Sequence, residues 1–287
     1  MIKSFIALCL LVLASACTQL PKVELQSYRD AFQATQAAAA PVIADYAVAE
    51  RAQRLRLLQS ESSGREWTDD TPYFTTFSPG DTAAVSTIGL PPGADAVDRS
   101  LRAIAAYNET LVALAENRNI DEAKGQLRQI VADVGAIVPV GAPKLAMANA
   151  LSDLVVNIFS PAIEAGNREL FREKMLQGYE PMQGLLDQLI GHSEAQYSTT
   201  ISPLLIKVEE GAPNKSELID KINAWHQVYA DYVVLLQGTK ERLTELKLAV
   251  ENPRSAPLLA RASAGSAELR AYAEGLRRSI DVLRATP

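Results

Sequence analysis

The amino-acid sequence predicts an all-α protein, an elongated up-and-down bundle of about seven helices with coiled-coil-like seams. Three observations carry this. Apolar residues step alternately by three and four at four separate places, which keeps one stripe on one helix face. Gly and Pro clusters punctuate the intervals between these stretches and end helices. No alternation of period two longer than a few residues occurs outside Tyr73 to Ile88.

The first element is a secretory signal, residues 1–16. Lys3 supplies the positive start, Phe5 to Ala14 is unbroken and apolar, and Ala14-Ser15-Ala16 gives the small side chains that a cleavage site needs. A run of about ten residues reaches only about 15 Å as helix, half of what the hydrocarbon core demands. It is therefore not expected to persist as a transmembrane helix.

Leu13-Ala14-Ser15-Ala16-Cys17 resembles the lipobox of bacterial lipoproteins. The resemblance covers about twenty residues and implies a diacylglyceryl thioether and an N-acyl chain, such as palmitate, on Cys17 once residues 1–16 are removed. More than one chain matters, because a single acyl chain binds membranes only marginally. Thr18, in place of an aspartate, resembles the sorting signal for the outer membrane, so the implied location is the periplasmic face of the outer membrane. The alternative is an ordinary cleaved secretory signal that leaves a free thiol on Cys17. Residues 17–21 are then the lipidated N-terminus and a short linker, and 22–287 a single helical domain.

Within that domain, Leu25, Tyr28, Phe32, Thr35, Ala39, Val42, Tyr46 and Ala49 form the first seam, on a helix from about 22 to 58 that Pro41 should kink. Arg51, Arg54 and Arg56 near its end would complement the helix dipole. A long loop follows at 59–92, well beyond the usual bundle connection. It holds Trp67, Tyr73, Phe74 and Phe77, and a short hairpin could pair 73–77 with 84–88. These four aromatics either plug one end of the bundle or form a partner-binding surface.

Val97, Leu101, Ile104, Asn108, Leu111 and Ala115 form the next seam, with Asn108 at a core-type position where a buried amide would set register. Helices are then expected over about 120–138, 145–177 and 182–210, separated by Pro139-Val140-Gly141-Ala142-Pro143 and by Gly178-Tyr179-Glu180-Pro181, and ended by Gly211-Ala212-Pro213. The stretch 131–163 has few charges. Leu151, Leu154, Val155, Ile158 and Phe159 share one helical face, and Asn149, Asp153, Asn157 and Ser160 the other, so a buried amphipathic helix is the first reading and membrane insertion the second. Helical seams flanking an apolar centre resemble, in outline only, the α-helical pore-forming toxins of the haemolysin E type. No motif supports carrying their activity over.

The longest seam runs through Leu218, Ile222, Trp225, Tyr229, Tyr232, Leu236, Thr239, Leu243, Leu246 and Val250, with Asn214 and Glu217 spaced as a capping box and Pro253 beyond the far end. Leu258, Ala262, Gly265, Leu269, Tyr272, Leu276, Ser279 and Leu283 form the last seam.

Composition narrows the function. The chain has two cysteines, and the cleaved product keeps only Cys17, so no intrachain disulfide can form. Of 28 Lys and Arg, one is Lys3, leaving the mature chain at about −7 against 34 acids. That excludes the basic stripe of a nucleic-acid surface and a polybasic grip on anionic lipid. His192 and His226 are the only histidines, neither spaced with a second ligand on one helix face. A nucleophile elbow, a phosphate loop and a dinucleotide fingerprint are all missing. Asp69-Asp70 and Glu209-Glu210 are neighbours whose carboxylates diverge on a helix, unsuited to paired acid/base work. The expectation is a non-enzymatic, lipid-anchored envelope lipoprotein without metal or cofactor, serving as a spacer or partner-binding module. The alternatives are a membrane-active protein that inserts 131–163, and a small-ligand carrier with a polar pocket near Tyr229, Tyr232 or His226.

Overall fold

The computed structural model describes residues 21–62, 82–116, 125 and 168–286. Among these residues the protein is all helical, with six helices: α1 (Lys22–Ser62), α2 (Thr82–Val85), α3 (Pro92–Glu116), α4 (Arg168–Glu209), α5 (Lys215–Glu251) and α6 (Ala256–Ala285). The five long ones form an elongated up-and-down bundle.

Side-chain contacts give their directions. Gln26 bonds Glu116 and Glu50 bonds Gly93, so α1 and α3 are antiparallel. Tyr179 meets Thr244 and Thr200 meets Tyr229, so α4 and α5 are antiparallel. Arg261 to Glu245 and Ser279 to Asp231 set α5 against α6, while Arg270 to Ser27 and Arg277 to Ala34 run α6 parallel to α1. The neighbours close a ring, α3–α1–α6–α5–α4, and α1 also reaches across to α4 and α5. One pole gathers Lys22, Glu116, Arg168 and the α5–α6 turn. The other gathers Ser62, α2, the start of α3 and the α4–α5 turn, while α6 ends short of it, with Arg284 near Asp45.

Every residue of the first seam is buried, Leu25 through Ala49, as is every residue of the α3 seam. On α5 only Ile222 falls short, packing half-buried against the core, and on α6 Leu258, Tyr272 and Ser279 are half-buried at its edge. The spacing of three and four thus becomes a continuous core in which Tyr28, Phe32, Tyr107 and Tyr232 are the largest wholly enclosed side chains.

Several expectations are corrected. The helix predicted to end near 58 continues to Ser62; it is a single helix with Pro41 inside it, as expected. The cluster Gly178-Tyr179-Glu180-Pro181 does not separate two helices, because α4 runs through it and through Pro203 as well. Tertiary packing explains the glycine. A Cβ at Gly178 would stand 2.5 Å from Cε2 of Tyr107, whose ring is wholly buried and whose hydroxyl donates to the Met175 carbonyl at 3.1 Å. Gly178 is there for close approach of α3 to α4, and the packing around it outweighs the local cost of Pro181. Gly211 behaves as expected: its φ of 79° ends α4, and the amide of Ala212 returns to the Lys207 carbonyl at 3.1 Å. Asn214 sits at the N-cap of α5, yet its side chain makes no capping bond, so the expected box is present in sequence only.

A pair of substitutions tests the packing argument. Ala replaces Gly in a helix interior with a gain of about 1 kcal/mol, whereas overfilling a rigid core costs about 1–3 kcal/mol. Gly178→Ala should therefore lower stability, and Gly191→Ala, exposed and with nothing within 4 Å of the added carbon, should raise it. Urea unfolding midpoints moving in the same direction for both would refute this account.

Candidate contact surface at the pole opposite the N-terminus

The described part of the 59–92 loop is held to the bundle by two consecutive residues of α1. Arg51 donates through Nε to the Ser86 carbonyl at 2.7 Å and through Nη2 to the Gly89 carbonyl. Gly89 has a φ of 78°, a left-handed turn that glycine adopts without strain, and it directs the chain into α3. Glu50 receives the amides of Gly93 at 2.8 Å and Ala94 at 2.9 Å, one on each carboxylate oxygen. A helix start carries unpaired N–H groups and a partial positive charge, and here a side chain from another helix supplies the counter-group. A Cβ at Gly93 would lie 2.5 Å from the Tyr46 hydroxyl and 2.8 Å from Glu50 Oε2, so this close seating needs glycine.

Arg51, Arg54 and Arg56 were expected as dipole partners at the helix end. Since α1 continues to Ser62, none lies in its last turn, and Arg51 is instead a clamp on a neighbouring segment. The stretch 84–88 is no strand either. Thr82–Val85 is helical, with the Ser86 amide returning to the Thr82 carbonyl at 2.9 Å, and Arg51 takes the carbonyls that a ladder would use. The other half of the proposed hairpin, 73–77, lies outside the described residues, as do Cys17, Trp67, Tyr73, Phe74 and Phe77.

Replacing Glu50 should be costly, because two amides of a buried helix start lose a charged acceptor at once. Glu50→Ala is expected to lower stability by about 2–3 kcal/mol and Glu50→Gln by roughly half as much, since the amide keeps one acceptor. Thermal unfolding of the two variants checks the order.

Apolar side chains are left in solvent around this pole. Ile88 is 89 % exposed, beyond the Arg51 clamp, and Leu57 on the last turns of α1 is also exposed. Leu205 and Ile206 on α4 and Ile219 on α5 flank the α4–α5 turn.

A band of rings lies inward from this pole. Tyr229 contacts Trp225, Tyr232 and Tyr197, with centroids 6.0, 6.4 and 5.6 Å apart, and its hydroxyl bonds Thr200 at 2.9 Å. His226 is exposed and meets the Tyr197 ring edge-on at 5.8 Å. His192 is half-buried and stands edge-on to Tyr46 at 6.5 Å. Tyr229, Tyr232 and His226 were singled out for a small-ligand pocket, and the structure packs Tyr229 on Tyr232 and both Tyr229 and His226 on Tyr197. Asp45, half-buried beside them, has its pKa raised by burial, an effect that Arg284 opposes.

Sequence reasoning missed Glu50 and Ile88, and it singled out Arg51 for a different role. No local pattern marks these roles, because each acts on a segment more than thirty residues away or on nothing yet bound. Among the described residues, no group of three His, Cys, Asp or Glu side chains could hold a metal ion, and no helix is long and apolar enough to cross a membrane. Comparison with protein-family models, with curated proteins and with solved structures finds no match.

Proposed function

We propose that this chain is a non-enzymatic lipoprotein of the cell envelope, tethered through lipid on Cys17 to the periplasmic face of the outer membrane, with its helical bundle presenting a contact surface for an envelope protein. The observation that carries the reading is polarity of the bundle. Lys22 begins α1 at one pole, five residues after Cys17, and the exposed Ile88 and Leu57 mark the opposite pole. At 1.5 Å per residue α1 is about 60 Å long, so a lipid-held N-terminus would stand the apolar pole well clear of the bilayer. The mixed-sign, net acidic composition supports a protein partner over nucleic acid.

Two measurements test this. Mass spectrometry of the protein taken from envelopes should find acyl chains on Cys17, and Cys17→Ser should move it into the soluble fraction; an unmodified wild-type chain would refute the anchor. In-cell crosslinking through a photoreactive residue at position 57 should yield a discrete adduct that Ile88→Asp weakens. An adduct pattern that Ile88→Asp leaves unaltered would remove the pole from the proposal.

A further inference from the structure

The α5–α6 hairpin reaches past the start of α1 at the pole that gathers Lys22. Two sets of contacts measure this independently. Tyr28, six residues after Lys22, donates its hydroxyl to the carbonyl of Thr239, which lies twelve residues before the end of α5 at Glu251. At 1.5 Å per residue α5 therefore extends about 9 Å beyond the level of Lys22. Arg270 and Arg277 meet Ser27 and Ala34 at a constant separation of 243 residues, which sets residue 265 opposite Lys22 and the start of α6, Ala256, about 13 Å further out. Among the described residues nothing else at this pole reaches as far. Glu116 meets Gln26, and Arg168 is as many residues before His192 as Lys22 is before its ring partner Tyr46.

The backbone of the hairpin tip is closed on itself. Asn252, Ser255, Leu258 and Leu259 donate their amides to carbonyls three or four residues back, and Pro253 and Pro257 have no N–H. Unpaired backbone groups are what makes irregular chain costly near hydrocarbon, and this turn has few of them. Pro253, Pro257 and Ala260 are exposed, Leu248 is 37 % exposed, and Leu258 and Leu259 are half-buried. Within 248–261 the only acid is Glu251, which Lys247 holds at 3.7 Å, while Arg254 and Arg261 are exposed.

We propose that this tip is a second membrane contact, seated against phospholipid headgroups, with Pro253, Pro257, Leu258 and Leu259 toward the acyl boundary and Arg254 and Arg261 at the level of the phosphates. The contact rests on the lipid anchor on Cys17 proposed above. Tether length selects a bilayer over a protein or a second copy. Cys17 precedes Lys22 by five residues, which span at most about 18 Å. Even a tether fully extended along the bundle axis leaves the tip only about 5–9 Å short of the anchor, close to the depth of one headgroup layer, and any slack closes that gap. Apolar side chains beside two cations whose stems can lie along the surface suit such a layer without a polybasic patch. Two points of attachment, lipid and hairpin, would fix the tilt of the bundle and keep the Ile88 pole directed away from the bilayer.

Once Cys17 is acylated and residues 1–16 are removed, the chain has no free thiol, so one introduced cysteine can carry a label. Pro257→Cys at the tip and Glu210→Cys at the far pole, both exposed positions, would each carry a polarity-sensitive fluorophore on the lipidated protein. The protein is then incorporated into vesicles of phosphatidylethanolamine and phosphatidylglycerol. Lipids spin-labelled at the headgroup should quench position 257 several-fold more than position 210. Adding Arg254→Glu and Ala260→Glu, both at exposed sites, should remove at least half of that quenching. Equal quenching at the two positions, or quenching at neither in protein that floats with the vesicles, would overturn the contact and leave the anchor standing. Lipidated wild-type protein that does not float would overturn the anchor, and the contact with it.

Discussion

Raising the pH above about 10 should unfold this protein in step with ionisation of its tyrosines. Burial pushes the Tyr28, Tyr46, Tyr107, Tyr229 and Tyr232 hydroxyls well above their ordinary range. Glu50 adds to this at Tyr46, and Asp45 does so at Tyr229 against the opposing hydrogen bond to Thr200. A group whose folded pKa exceeds its unfolded value binds its proton more tightly when folded. Its contribution is therefore complete below the unfolded pKa, about 10 for tyrosine, and is lost as the pH rises from there through the folded value. Each such tyrosine costs a little over about 1 kcal/mol per pH unit in that window, and five together approach the whole stability of an ordinary domain, about 5–15 kcal/mol. Loss of helical circular dichroism and the rise of tyrosinate absorbance should coincide, and should be complete by about pH 12. Tyrosines that ionise near pH 10 in a protein that stays helical would show that these rings are not enclosed.

Glu245→Ala is the single substitution expected to hurt most. Glu245 is 5 % exposed on α5, and it takes Arg242 Nη1 at 2.8 Å and Arg261 Nε at 2.6 Å. Gly265 makes room for the group, since an added carbon would run into Arg242 and Glu245 Oε2. Removing the carboxylate leaves the guanidinium of Arg242, only 13 % exposed, with Glu241 and a longer contact to Glu268 at 3.4 Å. A buried charge stripped of its partner costs about 3–5 kcal/mol, and residual help from Glu268 puts the expectation near the lower end. Arg261 is 68 % exposed, so Arg261→Ala should cost no more than about 1 kcal/mol. Replacing both inner partners, Arg242→Met with Glu245→Leu, should recover most of the loss, because the ions left without them, Arg261 and Glu241, are exposed. Urea unfolding of the four proteins decides it; equal losses for Glu245→Ala and Arg261→Ala would contradict the buried-partner account.

The parts of the fold legible in the sequence were those governed by repeated apolar spacing. The seams Leu25 to Ala49, Val97 to Ala115 and, but for Ile222, Leu218 to Val250 are buried because a stripe repeating every three and four residues can face only one way on a helix. Gly211 was legible because its turn is local. The parts that were not legible depend on residues distant in sequence. Gly178 and Pro181 look like a helix end, and only the ring of Tyr107, some seventy residues earlier, reveals why the glycine is there. Glu50 looks like a solvated acid until the start of α3 is placed over it. Asn108 is enclosed as expected, but neither end of its amide has a partner, so the bond through which it would set register is not made. At the candidate surface the anchoring roles of Glu50 and Arg51 were not legible, because their partners lie more than thirty residues further along the chain.

The parallel contact of α1 with α6 has a consequence for how the chain is made. Arg270 and Arg277 reach the carbonyls of Ser27 and Ala34, partners separated by 243 residues. One flank of the first helix thus stays bare until the last one has been synthesised and delivered. Folding cannot proceed strictly from front to back, and contacts this distant along the chain slow the search. A ribosome stalled before α6 would hold a polypeptide whose opening helix is still an open target for chaperones and proteases.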